Sequence, residues 1–186
     1  MRTILKISVL LTAGLVAVAN AVVAEELDAS LQVKVDAKVK AIQTWAANPA
    51  IVSGVQARNA STPPELADLT QEKWKALTVL DPLVRSFSKN PVAEYLKSQK
   101  DDSVSEGFIS CADGSKVAFL SKPTNWSHKG KAKHDQPMSG KNWQGPVEVD
   151  ESTGSKQIQV AVPVLADGKP IGSLVVGLNI SKLGGQ

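Results

Sequence analysis

Residues 125–143, NWSHKGKAKHDQPMSGKNW, concentrate the side chains that could do chemistry. Both histidines of the 186-residue chain lie here, with four lysines and two of its four tryptophans. Four chemistries fit the set. In the first, Lys133, Lys141 and His134 donate to an anionic metabolite such as a small carboxylate, between apolar walls of Trp126 and Trp143. Charged donors make short, orienting bonds to carboxylates. In the second, Lys129, Lys131 and Lys133 are a solvated charge run, and the tryptophans only pin the segment to the core. In the third, His128, His134 and Asp135 hold a transition metal such as zinc, against the repulsion of the neighbouring lysines. In the fourth, His134-Asp135 belongs to a catalytic group of a hydrolase, although such partners meet in space rather than in sequence.

Other motifs narrow the field. The nucleophile elbow Gly-x-Ser-x-Gly, the dinucleotide fingerprint Gly-x-Gly-x-x-Gly and the P-loop pattern are all missing from the sequence. Cys111 is the sole cysteine. An internal disulfide and a Cys-x-x-Cys-His haem attachment are therefore excluded. Its apolar strand context marks a structural thiol rather than a nucleophile. The expectation is a non-enzymatic protein with no cofactor, no catalytic set and no resident metal.

The elements that must position these residues fall into two halves. In the N-terminal half, Leu27, Leu31, Val35, Val39, Ile42 and Ala46 recur at three- and four-residue steps, which predicts one apolar stripe on a helix of about five turns. Asn48-Pro49, Asp81-Pro82 and Asn90-Pro91 each place a capping side chain before a proline, a helix-start signal. Thr70 caps a further helix carrying Trp74, Leu77 and Leu80, so 70–99 reads as two or three short helices behind a proline-containing loop at 60–69. Trp45 and Trp74 occupy core positions.

The C-terminal half reads as strands. Phe108 to Cys111 and Val117 to Leu120 flank Ala112-Asp113-Gly114, a hairpin pattern. A long loop over 122–146 follows, then strands at Val147 to Val149, Gln157 to Leu165 and Ile171 to Ile180. On the last two strands one face is apolar: Ile158, Val160, Val162 and Val164, then Leu174, Val176, Leu178 and Ile180. The other face, with Gln159, Ala161, Pro163, Ser173, Val175, Gly177 and Asn179, is small or polar. It suits either solvent or a ligand concavity in which Gln159 and Asn179 make hydrogen bonds. A long loop laid across that face favours the concavity.

The N-terminus sets the compartment. Arg2 and Lys6 precede an apolar run from Ile7 to Val18, and small residues lead to Ala24 before Glu25-Glu26. That is the layout of a signal peptide over residues 1–24, cleaved after Ala24 or, as second choice, Ala21. An uncleaved membrane anchor is the alternative. Residues 25–186 then form a single periplasmic or secreted domain. Without Arg2 and Lys6, 19 basic residues stand against 18 acidic ones. Such a balance gives no support for nucleic-acid binding.

Three stretches resemble the Cache family of extracellular, PAS-like sensor domains. They are Thr44-Trp45-Ala46-Ala47-Asn48-Pro49-Ala50-Ile51-Val52, Phe108 to Gly114 with Val117-Ala118, and Pro163-Val164-Leu165 continuing through Gly168 to Gly177. The order of elements is similar too: a long helix, short helices, then an antiparallel sheet with a long insert after its second strand. The resemblance implies an α+β fold with a PAS-like antiparallel sheet of about five strands. It also implies a small metabolite bound between sheet and insert. In amino-acid-binding members an acidic residue near the end of the last strand contacts the ligand amine. Asn179 matches that position and carries no charge. Their Arg-x-Trp-Tyr type of motif has Lys141-Asn142-Trp143 as its nearest analogue here.

The expected ligand-binding residues are therefore Trp126, Lys133, His134, Asp135, Lys141, Trp143, Gln159 and Asn179. The expected function is small-molecule sensing, with a membrane receptor or kinase as protein partner and no nucleic acid. The alternative is an interaction module that binds no small molecule and forms a homodimer through the N-terminal helix.

Overall fold

The computed structural model describes residues 27–149 and 155–184. The signal peptide expected over 1–24, the Asp150-Glu151 pair and the turn residues Ser152 to Gly154 lie outside the described residues. Among the described residues, no helix is long and apolar enough to cross a membrane.

The helical half follows its caps. Helix α1 (Ala29–Ala46) starts where the Asp28 carboxylate accepts the Leu31 N–H at 2.9 Å. The Asx-Pro device then operates three times. Asn48 opens α2 (Pro49–Ala60), Asp81 opens α4 (Pro82–Lys89) and Asn90 opens α5 (Pro91–Gln99). Each side chain accepts a backbone N–H at 2.9 Å, and each proline sits where its missing N–H costs nothing. Thr70 caps α3 (Gln71–Ala76), and a 3-10 turn at Pro64–Leu66 interrupts the proline loop. Leu80 corrects the expectation for this region. It stands 76% exposed in the α3–α4 turn instead of on α3, because the helix already ends at Ala76.

The second half is a five-stranded antiparallel sheet: β1 (Val104–Cys111), β2 (Lys116–Phe119), β3 (Trp143–Val149), β4 (Lys156–Ala166) and β5 (Lys169–Asn179). Their spatial order is β2-β1-β5-β4-β3. The chain is thus α+β with a PAS-like sheet, as expected. Several boundaries differ. Strand β1 begins at Val104 and not at Phe108, which brings Ser105 and Glu106 into the sheet. Ile180 leaves the sheet and begins a short terminal helix, α7 (Ile180–Gly184). The expected loop over 122–146 holds α6 (Ala132–Met138), and β3 already begins at Trp143. Pro137 and Gly140 make this segment read as loop. The helix forms nonetheless, and it packs on β5, β4 and β3. Pro137 falls in its last turn, where the ring takes away one intrahelical hydrogen bond and leaves the first turn intact.

Two cores flank the sheet. On one face Val35, Ile42 and Ala46 of α1 meet Ile158, Val160, Val162, Leu174, Val176 and Leu178, all buried. The stripe of α1 is thereby covered by the protein's own sheet. Any dimer through this helix must use its other faces, where Val33 is exposed. On the opposite face Trp74, Phe87, Phe119 and Trp126 form an aromatic cluster with Phe108, Ala161 and Val175. Trp74 meets Phe119 edge-on at 6.0 Å, a geometry that ring quadrupoles favour, and lies tilted against Trp126 at 5.2 Å.

Candidate functional site

The segment between β2 and β3 lies across the small and polar face of the sheet. Helix α3 fixes its near end. Gln71 donates to the Thr124 carbonyl at 3.0 Å and accepts the Trp126 N–H at 2.8 Å, while the Trp74 indole donates to the Pro123 carbonyl at 2.8 Å. The His128 N–H bonds the Gly114 carbonyl at 2.9 Å. At the far end His134, 1% exposed, pins α6 to β5 through its Nδ1 and the Ser173 hydroxyl at 2.8 Å.

Beneath this cover is a cavity of ≈ 670 Å³. A row across three strands makes its floor. Glu106 of β1 and Gln159 of β4 are both register partners of Gly177 in β5. A Cβ on Gly177 would stand 2.6 Å from the Glu106 Cγ, so only glycine leaves room for the side chain to cross β5. Glu106 duly accepts from the Gln159 amide, and Gln159 accepts from Lys133 of α6. A register shift between Val104 and Glu106 sets two residues of β1 against one of β5. This bulge also brings Ser105 over the face, where it donates to Gln157 at 2.9 Å. Lys100 and Lys122 complete the lining, so three lysines share the cavity with one carboxylate. Lys122 also lies over the Trp74 ring, 4.5 Å from its centroid.

The wall behind His128 holds the least ordinary charge in the molecule. Lys116 is fully buried. Its ammonium bonds Nδ1 of His128 at 2.6 Å, the Ser110 hydroxyl at 3.0 Å and the Gly114 carbonyl at 3.3 Å, and it lies 4.8 Å from the Phe108 ring centroid. Phe108 in turn stacks on the His128 ring at 4.7 Å. Burial lowers the Lys116 pKa to about 7. Burial, then the Lys116 and Lys133 charges, lowers His128 to about 3. His128 is therefore neutral at physiological pH. An ammonium can only donate, so whenever Lys116 is charged Nδ1 accepts and the imidazole proton sits on Nε2. Burial also lowers the pKa of Lys133, opposed by Glu106 and Glu148.

The structure distributes the expected residues unevenly. Lys133, Gln159 and Asn179 line the cavity. Trp126 is buried in the adjoining aromatic cluster, and Trp143, half-buried on β3, packs against that cluster. Away from the cavity, His134 is sealed against Ser173 and the Ala112 carbonyl. Asp135 is exposed and accepts the Gly130 N–H at 3.1 Å. Lys141 is exposed in the turn before β3. Among the described residues no three histidine, cysteine or acidic side chains are grouped to hold a metal, and no hydrogen bond joins His134 to Asp135. Cys111 is buried, and that burial raises its pKa, as befits a structural thiol.

Sequence reasoning missed Glu106, His128 as a cavity residue, and Lys116. Ser105-Glu106 carried a faint signal, two polar residues just ahead of the apolar Phe108-Ile109. Lys116 carried none, because a lysine beside a Gly-Ser turn ordinarily reads as solvated.

No protein-family model and no curated protein matches this chain. Solved structures do match. The ligand-binding domain of the Pseudomonas aeruginosa PAO1 amino acid chemoreceptor PctC, in complex with GABA, has 15% identity and a TM-score of 0.45; the match covers 83% of this chain and 57% of that one. The sensor domain of the V. cholerae histidine kinase DctB has 11% identity and a TM-score of 0.48, with 83% and 54% covered. This chain thus spans little more than half the length of those two. The E. coli DcuS sensor domain has 12% identity and a TM-score of 0.47, with 84% of this chain and 96% of that one covered.

Proposed function

We propose that this protein is an extracytoplasmic binding domain that takes a small anionic metabolite, a carboxylate, into the cavity beneath the β2–β3 segment. The observation that carries the reading is Lys133. Its half-buried ammonium meets the neutral Gln159 carbonyl oxygen on the floor of a polar cavity of ≈ 670 Å³. A carboxylate is the stronger acceptor for such a donor. It would take the place of Gln159 on Lys133 and draw further donors from Lys122, from Asn179 and from the Nε2–H of neutral His128. Glu106 orients Gln159 and disfavours ligands with a second anionic group at that end of the cavity. Binding rather than catalysis fits the sealed His134 and the separately bonded Asp135. The signal then passes through a protein partner, a membrane receptor or kinase, with the covering segment as the part that responds to occupancy.

The test is isothermal titration of the protein with mono- and dicarboxylates, amines and divalent metals. One carboxylate is expected to bind, and Lys133→Ala to weaken it by roughly ten- to a hundredfold, the worth of one hydrogen bond to a charged group. Gly177→Val, which fills the floor, is expected to abolish binding. Binding of amines or metals alone would overturn the reading.

A further inference from the structure

A second cleft, of ≈ 720 Å³, lies at the β2 edge of the sheet between α2, the 3-10 turn, α4 and the start of α5. Its size falls in the range of small-molecule sites. Its chemistry is unlike that of the first cavity. Ala57, Leu66, Leu83, Phe87, Val92 and Val117 give it apolar walls. Arg58 is set into them. Its Nη1 donates to the Thr62 hydroxyl at 2.9 Å and its Nη2 to the Ser115 hydroxyl at 3.1 Å. Its Nε–H is buried with no partner, and among the described residues no salt bridge involves Arg58. Asp113 feels its charge only weakly, as the least of the influences on that carboxylate. Lys116 reaches the cleft too, but its amine is already bonded to Ser110, Gly114 and His128. Glu65 also lines the cleft and is exposed, so solvent and salt screen its charge.

A guanidinium holds five donors in a fixed fork that matches a carboxylate. Here two of them meet neutral hydroxyls, and a third is left buried and unmet. An apolar trough beside one such group fits a ligand with a single anionic head and a hydrocarbon tail. We propose that this cleft is a second ligand site, for a straight-chain monocarboxylic acid of medium length. The tail lies along Leu66, Leu83, Phe87 and Val92, and the carboxylate is held by Arg58. The proposal is independent of the ligand in the first cavity.

Titration of the purified protein with butyrate, hexanoate, octanoate, decanoate and 1-octanol tests it. Each added methylene should tighten Kd by about fourfold until the trough is filled. Arg58→Gln should weaken octanoate by roughly tenfold or more and leave octanol unchanged. Ala57→Trp, which blocks the trough while keeping Arg58, should remove both ligands. The same series repeated in Lys133→Ala, which disables the first cavity, should keep the chain-length trend of this cleft. Equal affinity for butyrate and octanoate, octanol binding as tightly as octanoate, no binding of any acid, or loss of octanoate in Lys133→Ala would each overturn the proposal.

Discussion

Lys116 dominates at the scale of single residues, because its amine is buried with hydroxyl, carbonyl and imidazole partners and, among the described residues, no salt bridge. Its pKa falls from 10.5 to about 7. Between those values the unfolded chain binds the extra proton, so stability rises with pH across that window, by up to about 1.4 kcal/mol per pH unit. Below pH 7 the whole cost stands. The urea midpoint of the native protein should therefore climb from pH 7 to pH 10, and Lys116→Met should flatten the climb; equal slopes would refute the assignment. His128 acts on the acid side. Its pKa drops from 6.5 to about 3, so the unfolded state takes up a proton that the folded state refuses, and stability declines as pH falls from 6.5 toward 3. The residue-level lesson is that composition misleads here. A lysine in a hairpin and a histidine in a lysine run both look solvated, yet each is buried, since the turn at Gly114 folds them against Phe108.

At the scale of elements, short helices depend on how their ends are tied. Asn90 does two things at once: its oxygen accepts the Ala93 N–H, and its amide donates to the Val117 carbonyl of β2 at 2.9 Å. Asn90→Asp keeps the cap and loses the tie, so it should cost about 1–3 kcal/mol for the stranded carbonyl. Asp81→Asn, at a cap whose side chain makes no second hydrogen bond among the described residues, should be near neutral. Denaturant melts of the pair separate capping from tethering. Helix α6 has no side-chain cap and depends instead on the His134–Ser173 bond. Ser173→Ala should speed amide exchange across α6 while leaving α1 protected. Unchanged exchange in α6 would mean that apolar packing alone holds it.

At the scale of the whole molecule, the sheet separates an aliphatic core under α1 from an aromatic core under the β2–β3 segment, and the polar cavity borders the second. A ligand that enters only the folded protein stabilises it by mass action. The carboxylate identified by titration, at one hundred times its Kd, should add about 2.7 kcal/mol and raise Tm accordingly. A calorimetric scan checks this, and a Tm unmoved at saturating ligand would contradict specific binding to the native state.

The sequence by itself determined the starts of α2 to α5, the buried stripe of α1, the strand alternation and the face on which Gln159 and Asn179 lie. Each of these is written within a few neighbouring residues, in a cap, a periodicity of 3.6 or a periodicity of 2. Lys133 was legible as well, through its charge beside aromatic residues. Only the tertiary structure decided that Glu106 and Gln159, 53 residues apart, meet over Gly177. It alone decided that α6 forms in a proline-containing segment, that Lys141 and Asp135 turn outward, and that Lys116 is buried. These outcomes depend on strand pairing, a bulge and the docking of one segment on a distant sheet. Such contacts are set by which surfaces bury together, and no local pattern in the chain encodes that choice.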